Sequence, residues 1–249
     1  VEMSLPNFMC IGAAKSGTTT LYDILKQHPD VFIPSFKEPH FFDIADNYKR
    51  GLDWYEREYF RGVRKLIIGD FTPSYFFEAK APERIFTNLS KDLKFVVLLR
   101  HPADRAYSHY LHSLRDGHED CNFLDALQKE DNRITRSIEN NNYLSYLRHS
   151  YYHQGLYGDM IERYLKYFSL ESFYFIHFEN EFLQDRKETI DGLLRFLRLK
   201  RSVDLNIDLK SNPASQQRSK LINQLMKKRG SFREVINASP LHFLNASPL

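Results

Sequence analysis

Cysteine and tryptophan are scarce, with two Cys and one Trp in 249 residues. Two thiols, Cys10 and Cys121, supply neither a disulfide framework nor the paired ligand spacings of a zinc site, so no metal is expected. Cys10 lies in an apolar stretch where a free thiol packs as a small hydrophobe, and both cysteines are read as structural. Long apolar runs are missing too. Nothing approaches the roughly 20 apolar residues of a membrane-spanning helix, and the amino terminus lacks a secretory leader pattern. The expectation is a cytoplasmic protein that uses no membrane, unless an amino-terminal anchor has been removed. A large charge of one sign is also absent: 35 Lys+Arg against 32 Asp+Glu leave +3, which gives no footprint for nucleic acid unless it clusters. A single anion pocket fits that balance better.

What the chain does have is aromatic bulk, 20 Phe and 15 Tyr, together with short apolar runs separated by helical spacing. The runs at 8–11, 66–68, 95–99 and 173–176 do not alternate, which suits strands buried on both faces of a parallel sheet. Helical patterns follow Thr18 and cover 82–89, 102–114, 157–168 and 186–197, two of them opening on proline. Strands alternating with helices predict an α/β fold: a single domain over 1–249 with an open, mostly parallel sheet flanked by helices. Residues 116–155, rich in Asp, Asn, His and Tyr, read as a partly helical insertion.

Between the first strand and first helix lies Gly12-Ala13-Ala14-Lys15-Ser16-Gly17-Thr18-Thr19. Small residues let the backbone curl around an anion, helix-start amides point at it, and Lys15 adds a full charge. This is a phosphate loop but not a Walker A loop, because Thr18 stands where that motif has lysine. The third strand ends in Arg100-His101-Pro102, which places a guanidinium where ligands of open α/β sheets bind. The plainer reading of Arg100 is an ion pair with Asp104. Between these two motifs comes Lys37-Glu38-Pro39-His40-Phe41-Phe42-Asp43. The residue before proline favours extended backbone, and positions two apart on an extended segment share a face, so Glu38 and His40 are expected to project together as candidate bases. Asp70, in Gly69-Asp70-Phe71-Thr72-Pro73-Ser74-Tyr75, either orients an acceptor group or caps a turn.

The Lys15 to Thr19 loop resembles the 5′-phosphosulfate loop of the sulfotransferases that use 3′-phosphoadenosine 5′-phosphosulfate (PAPS). The stretch from Leu99-Arg100-His101-Pro102 to Ser108 resembles their 3′-phosphate motif. With similarity also at 155–168 and 176–197, the resemblance covers nearly the whole chain. It implies the P-loop-like sulfotransferase fold and a transferase that takes PAPS, releases PAP and needs no metal. It assigns Lys15, Ser16, Gly17, Thr18, Thr19, Arg100 and Ser108 to the donor. The resemblance also implies a nucleotide-covering segment over 202–249, with Arg218 as a further contact. The Glu38/His40 segment is similar to the glycosaminoglycan branch, where the glutamate is the proposed base, and to bacterial members acting on small metabolites. A carbohydrate or small-molecule acceptor follows, bearing a hydroxyl or, less favoured, an amine. Lys15, Glu38 and His40 are then the catalytic set, and the Golgi lumen becomes the alternative compartment. Phe71 departs from the glycosaminoglycan enzymes, which commonly carry lysine there. Two other readings remain open from the residues: a P-loop-type nucleotide kinase with Mg²⁺ on Asp70, and an inert anion-binding module.

Overall fold

The computed structural model describes residues 4–200 and 203–209. Strands β1 (Phe8–Gly12), β2 (Val31–Phe32), β3 (Ile67–Phe71), β4 (Lys94–Leu99) and β5 (Phe173–His177) form one sheet in the order β2-β3-β1-β4-β5. Every pairing is parallel. All five carboxyl ends therefore point to one edge of the sheet. Helix α1 (Thr18–Leu25) follows β1, α2 (Ala45–Tyr48) and α3 (Leu52–Tyr59) precede β3, and α4 (Ala81–Asn88) precedes β4. After β4 come α5 (Pro102–Arg115), α6 (Phe123–Gln128), α7 (Glu130–Glu139), α8 (Tyr143–His149) and α9 (Tyr157–Leu165), and α10 (Arg186–Phe196) follows β5.

The sheet separates two apolar layers, and successive residues of β1 divide between them. Met9 and Ile11 join Phe95, Val97, Tyr55, Tyr75, Tyr164 and Phe168 on one face. Phe8 and Cys10 join Val96, Leu98, Leu21, Ile24 and Leu193 on the other. Covering both faces is what an all-parallel sheet requires, and it explains the non-alternating runs. The aromatic excess fills the first layer: Phe41, Phe42, Tyr75 and Phe76 are each no more than 2% exposed.

One expected strand changes its bounds and one strand was not foreseen. Strand β3 begins at Ile67 and runs through Gly69-Asp70 to Phe71, while Leu66, assigned to it from hydropathy, is 59% exposed. A buried carboxylate within the strand hid its true extent. Strand β2, of two residues, is too short to show a period. Within 116–155 the helices α6, α7 and α8 alternate with turns, and Asn122 and Asn142 act as helix caps, each accepting a backbone N–H at 3.0 Å. Cys10 is buried as expected, whereas Cys121 is half-buried beside Lys129 Nζ at 3.1 Å. Among the described residues no helix is long and apolar enough to cross a membrane.

Gly12 closes β1 against the aromatic layer, and a Cβ there would stand 2.7 Å from Phe76 Cβ. Gly12→Ala is expected to lose about 1–3 kcal/mol of stability to overpacking. A lower urea midpoint at unchanged slope would show it.

Candidate active site

The turn out of β1 needs positive φ at Lys15 (69°) and Gly17 (91°). Glycine is required at the second position on two counts, since a Cβ would also meet Phe178 Cε2 at 2.8 Å. Ser16 N–H donates to Ala13 O at 3.2 Å and closes the turn. Helix α1 then starts with no side-chain cap and no acidic residue in its first turn, leaving its amides for an anion. Ser16 is wholly buried, and its Oγ has no hydrogen-bond partner. Burial lowers the Lys15 ammonium to about 8, and the positive charges of Arg115 and Arg100 push in the same direction.

Arg100 ends the neighbouring strand β4 and is 8% exposed. Its Nη1 donates to Lys15 O at 3.0 Å, its guanidinium carbon lies 5.2 Å from the Phe178 ring centroid, and its buried Nε has no partner. The ion pair with Asp104 weighed from the sequence does not form. Tyr157 Oη donates to Arg100 O at 2.9 Å, and His101 N–H to Glu179 Oε1 at 3.0 Å, so the backbone behind the guanidinium is fixed. Ser108 is half-buried on α5, and its hydroxyl bonds to no other described residue. The structure thus brings Lys15, Ser16 and Arg100 together at one sheet edge. Arg218 lies outside the described residues, as does nearly all of 202–249.

On the acceptor side, the expected extended backbone is corrected: Glu38 has φ 68° and His40 φ 52°. At Glu38 this geometry stands against the extended preference set by the following Pro39, and tertiary bonds hold the segment. Phe41 N–H donates to Tyr75 Oη at 3.0 Å, Asn47 Nδ2 to His40 O at 3.0 Å, and Arg84 Nη1 to Phe42 O at 2.7 Å. Glu38 and His40 nonetheless meet, with His40 Nε2 3.5 Å from Glu38 Oε2. Lys37 Nζ lies 2.5 Å from Glu38 Oε1, and His40 Nδ1 lies 2.7 Å from Asp43 Oδ2. Ser74 Oγ donates to that same Asp43 oxygen at 2.5 Å.

Charges follow from these contacts. Burial works to raise Glu38, but the hydrogen bond from His40 and the charge of Lys37 outweigh it and hold the carboxyl down at about 2. Burial works to lower His40, but its bonds to Asp43 and Glu38 raise it to about 10. His40 is an imidazolium at neutral pH. Asp43 and Ser74, given no role from the sequence, complete the array; only a fold that places residue 74 beside residue 43 reveals them.

Asp70 does not present a free carboxylate. It is fully buried and accepts from Tyr55 Oη at 2.5 Å, Thr72 Oγ1 at 2.6 Å and Tyr75 Oη at 3.0 Å. Phe71 is equally buried, edge-on to Phe8 and Tyr22 with ring centroids 5.6 Å apart in each pair.

A parallel sheet whose carboxyl edge carries an uncapped helix start, a loop lysine and an arginine without a carboxylate partner is an α/β edge suited to an anion. A family model described as a sulfotransferase domain matches residues 5–236, and the chain belongs to that family. It is 33% identical over 199 residues to human heparan sulfate glucosamine 3-O-sulfotransferase 3B1, covering 80% of this chain and 47% of that protein. Mouse heparan sulfate glucosamine 3-O-sulfotransferase 5 is 31% identical over 172 residues, 69% of this chain and 47% of its own length. The chain thus spans about half the length of the curated relatives it matches. A solved sulfotransferase from Alicyclobacillus acidocaldarius superposes with a TM-score of 0.71 at 32% identity, covering 88% of this chain and 91% of that one.

The Asp70 cluster yields a stability prediction. Burial, against the pull of its three hydroxyl donors, raises the carboxyl from 3.8 to about 6. The folded chain therefore holds this proton more tightly than the unfolded chain. The group's contribution is largest below pH 4 and declines as pH rises to about 6. Asp70→Ala, which strands three buried hydroxyls, is expected to cost on the order of 3 kcal/mol by urea denaturation, and Asp70→Asn less.

Proposed function

We propose that the chain transfers the sulfonyl group of PAPS to a hydroxyl of a carbohydrate acceptor. The observation that carries this reading is the pair of unpartnered buried polar atoms, Ser16 Oγ and Arg100 Nε, at the carboxyl ends of adjacent strands. Buried polar atoms without partners are costly, and an anion spanning both ends would satisfy them. PAPS fits: Lys15, Ser16, Gly17, Thr18 and Thr19 would hold its 5′ end, and Arg100 with Ser108 its 3′-phosphate. The donor supplies an activated sulfonyl group on a phosphate leaving group. Arg218 is proposed as a further 3′-phosphate contact.

The chain's own groups divide the remaining work. Glu38 takes the acceptor hydroxyl proton as the new sulfur–oxygen bond forms. His40, already protonated, cannot serve as the base; it orients Glu38 and is itself held by Asp43 and Ser74. Lys15 and the α1 amides face the phosphate oxygen that keeps the electron pair of the broken bond. Positioning and fixed charge supply the acceleration.

The acceptor is drawn from the relatives, whose names specify a heparan sulfate glucosamine hydroxyl. A hydroxylated small metabolite is the second reading, favoured by Phe71, which places a buried ring where the glycosaminoglycan enzymes commonly carry lysine. The kinase reading is weakened because both Asp70 oxygens already accept hydroxyl protons. The inert-module reading is weakened by the assembled Glu38 array.

The test is transfer of radiolabelled sulfonate from PAPS to heparan-derived oligosaccharides and to a panel of hydroxylated metabolites. Glu38→Gln should lower kcat by about 10²–10⁴-fold while PAP affinity stays within about threefold. Equal turnover in wild type and variant would remove the base assignment. Lys15 loses its proton as pH passes about 8, so PAP affinity should fall between pH 7 and 9.5. Calorimetry at several pH values would show that decline, and Lys15→Arg should flatten it.

A further inference from the structure

The reading above takes Lys15 and Arg100 from the ends of neighbouring strands, and a further lysine stands beside its proposed base. Lys15 comes from the loop after β1 and Arg100 from the end of β4. Strand β3, on the other side of β1, ends in Asp70-Phe71 and brings no cation. The further lysine is Lys37. Its side chain is 17% exposed and its Nζ is committed to Glu38 Oε1 at 2.5 Å, so it is not a solvated surface lysine. The ammonium therefore stands against the proposed base.

Both oxygens of Glu38 face cations, Lys37 at Oε1 and His40 at Oε2. The two are held differently. His40 is pinned from behind by Asp43 at 2.7 Å, with Ser74 Oγ 3.3 Å from its Nδ1. Among the described residues Lys37 has Glu38 as its one side-chain partner. A lysine stem is flexible, and its ammonium is a movable point charge. Lys37 is thus the cation able to leave.

We propose that Lys37 is a further catalytic residue, which binds the transferable sulfonyl of the donor and, by leaving Glu38 to do so, frees that carboxylate to accept the acceptor's proton. The inference rests on PAPS being the donor. The step balances. The acceptor hydroxyl proton passes to Glu38, the acceptor oxygen bonds to sulfur, and the bond from sulfur to the 5′-phosphate oxygen breaks with its electron pair on the departing PAP. Lys37 keeps its proton throughout. As Glu38 is neutralised its hold on the ammonium weakens, while charge at the sulfonyl and departing oxygens persists and is redistributed, so the cation is bound more strongly in the transition state than before it. A carboxylate clamped by two cations is a poor base, as its position near 2 shows. Moving one cation 3–4 Å away raises its proton affinity at the moment of need, by the distance dependence of charge interaction.

The test needs no acceptor. PAPS and PAP differ by the sulfonyl group, so calorimetric affinities of both are compared for the full chain, Lys37→Met and Lys37→Arg. Lys37→Met should weaken PAPS by about tenfold or more and PAP by no more than about twofold, with Lys37→Arg intermediate. An unchanged PAPS-to-PAP ratio in Lys37→Met overturns the inference and leaves the donor assignment standing. Wild-type protein that binds neither nucleotide overturns both. PAP binding doubles as the check that the variant is folded; should Lys37→Met fail it, Lys37→Gln read in the same way decides.

Discussion

The hydrogen bond from Arg100 Nη1 to Lys15 O, 3.0 Å long, joins the two halves of the proposed donor site. It is available only because β1 and β4 are adjacent and parallel, so that the residues following each strand emerge at the same edge. One guanidinium nitrogen fixes the phosphate loop while Nε stays buried and unpartnered. An arginine that spent all its donors on protein would be a structural post. One that spends part of them and leaves the rest desolvated is arranged for an anion.

The acceptor side obeys a different constraint, charge balance around a single carboxylate. Glu38 and Asp43 bracket His40, and Lys37 closes the row, so the array alternates in sign from Lys37 through Glu38 and His40 to Asp43. The row is anchored on the aromatic layer. Tyr75 Oη accepts from Phe41 N–H and donates to buried Asp70, which ties the catalytic loop to β3 through one phenol. Asp70 acts there as an acceptor for three hydroxyls within the core, and its effect on the site is transmitted by Tyr75.

Much of this was legible before folding. The short non-alternating runs at 8–11 and 95–99, the Gly-Thr-Thr helix start and the Arg100-His101-Pro102 junction specify strands, loop and helix starts through local chemistry. Chain segments far apart conceal the rest. Ser74 meets Asp43 across 31 residues of chain, and neither position carries a local signal. The left-handed backbone at Glu38 opposes what the following Pro39 favours, and the flanking backbone is held by a bond from Asn47 to His40 O and one from Phe41 N–H to Tyr75 Oη. The sequence reading reached the correct meeting of two side chains through the wrong backbone. The length of β3 was hidden for a related reason: a carboxylate inside a buried strand reads as a loop until its three hydroxyl donors are seen.

The central claim is that one anionic nucleotide lies across the edge, its 5′ end on the β1 loop and its 3′ end at β4. A crystal structure of the chain with PAP tests this most directly. The account predicts the 5′-phosphate within hydrogen-bond distance of Lys15 Nζ and the α1 amides, with the 3′-phosphate on Arg100 and Ser108. An adenylate bound elsewhere, with Lys15 and Arg100 making no contact to either phosphate, would contradict it.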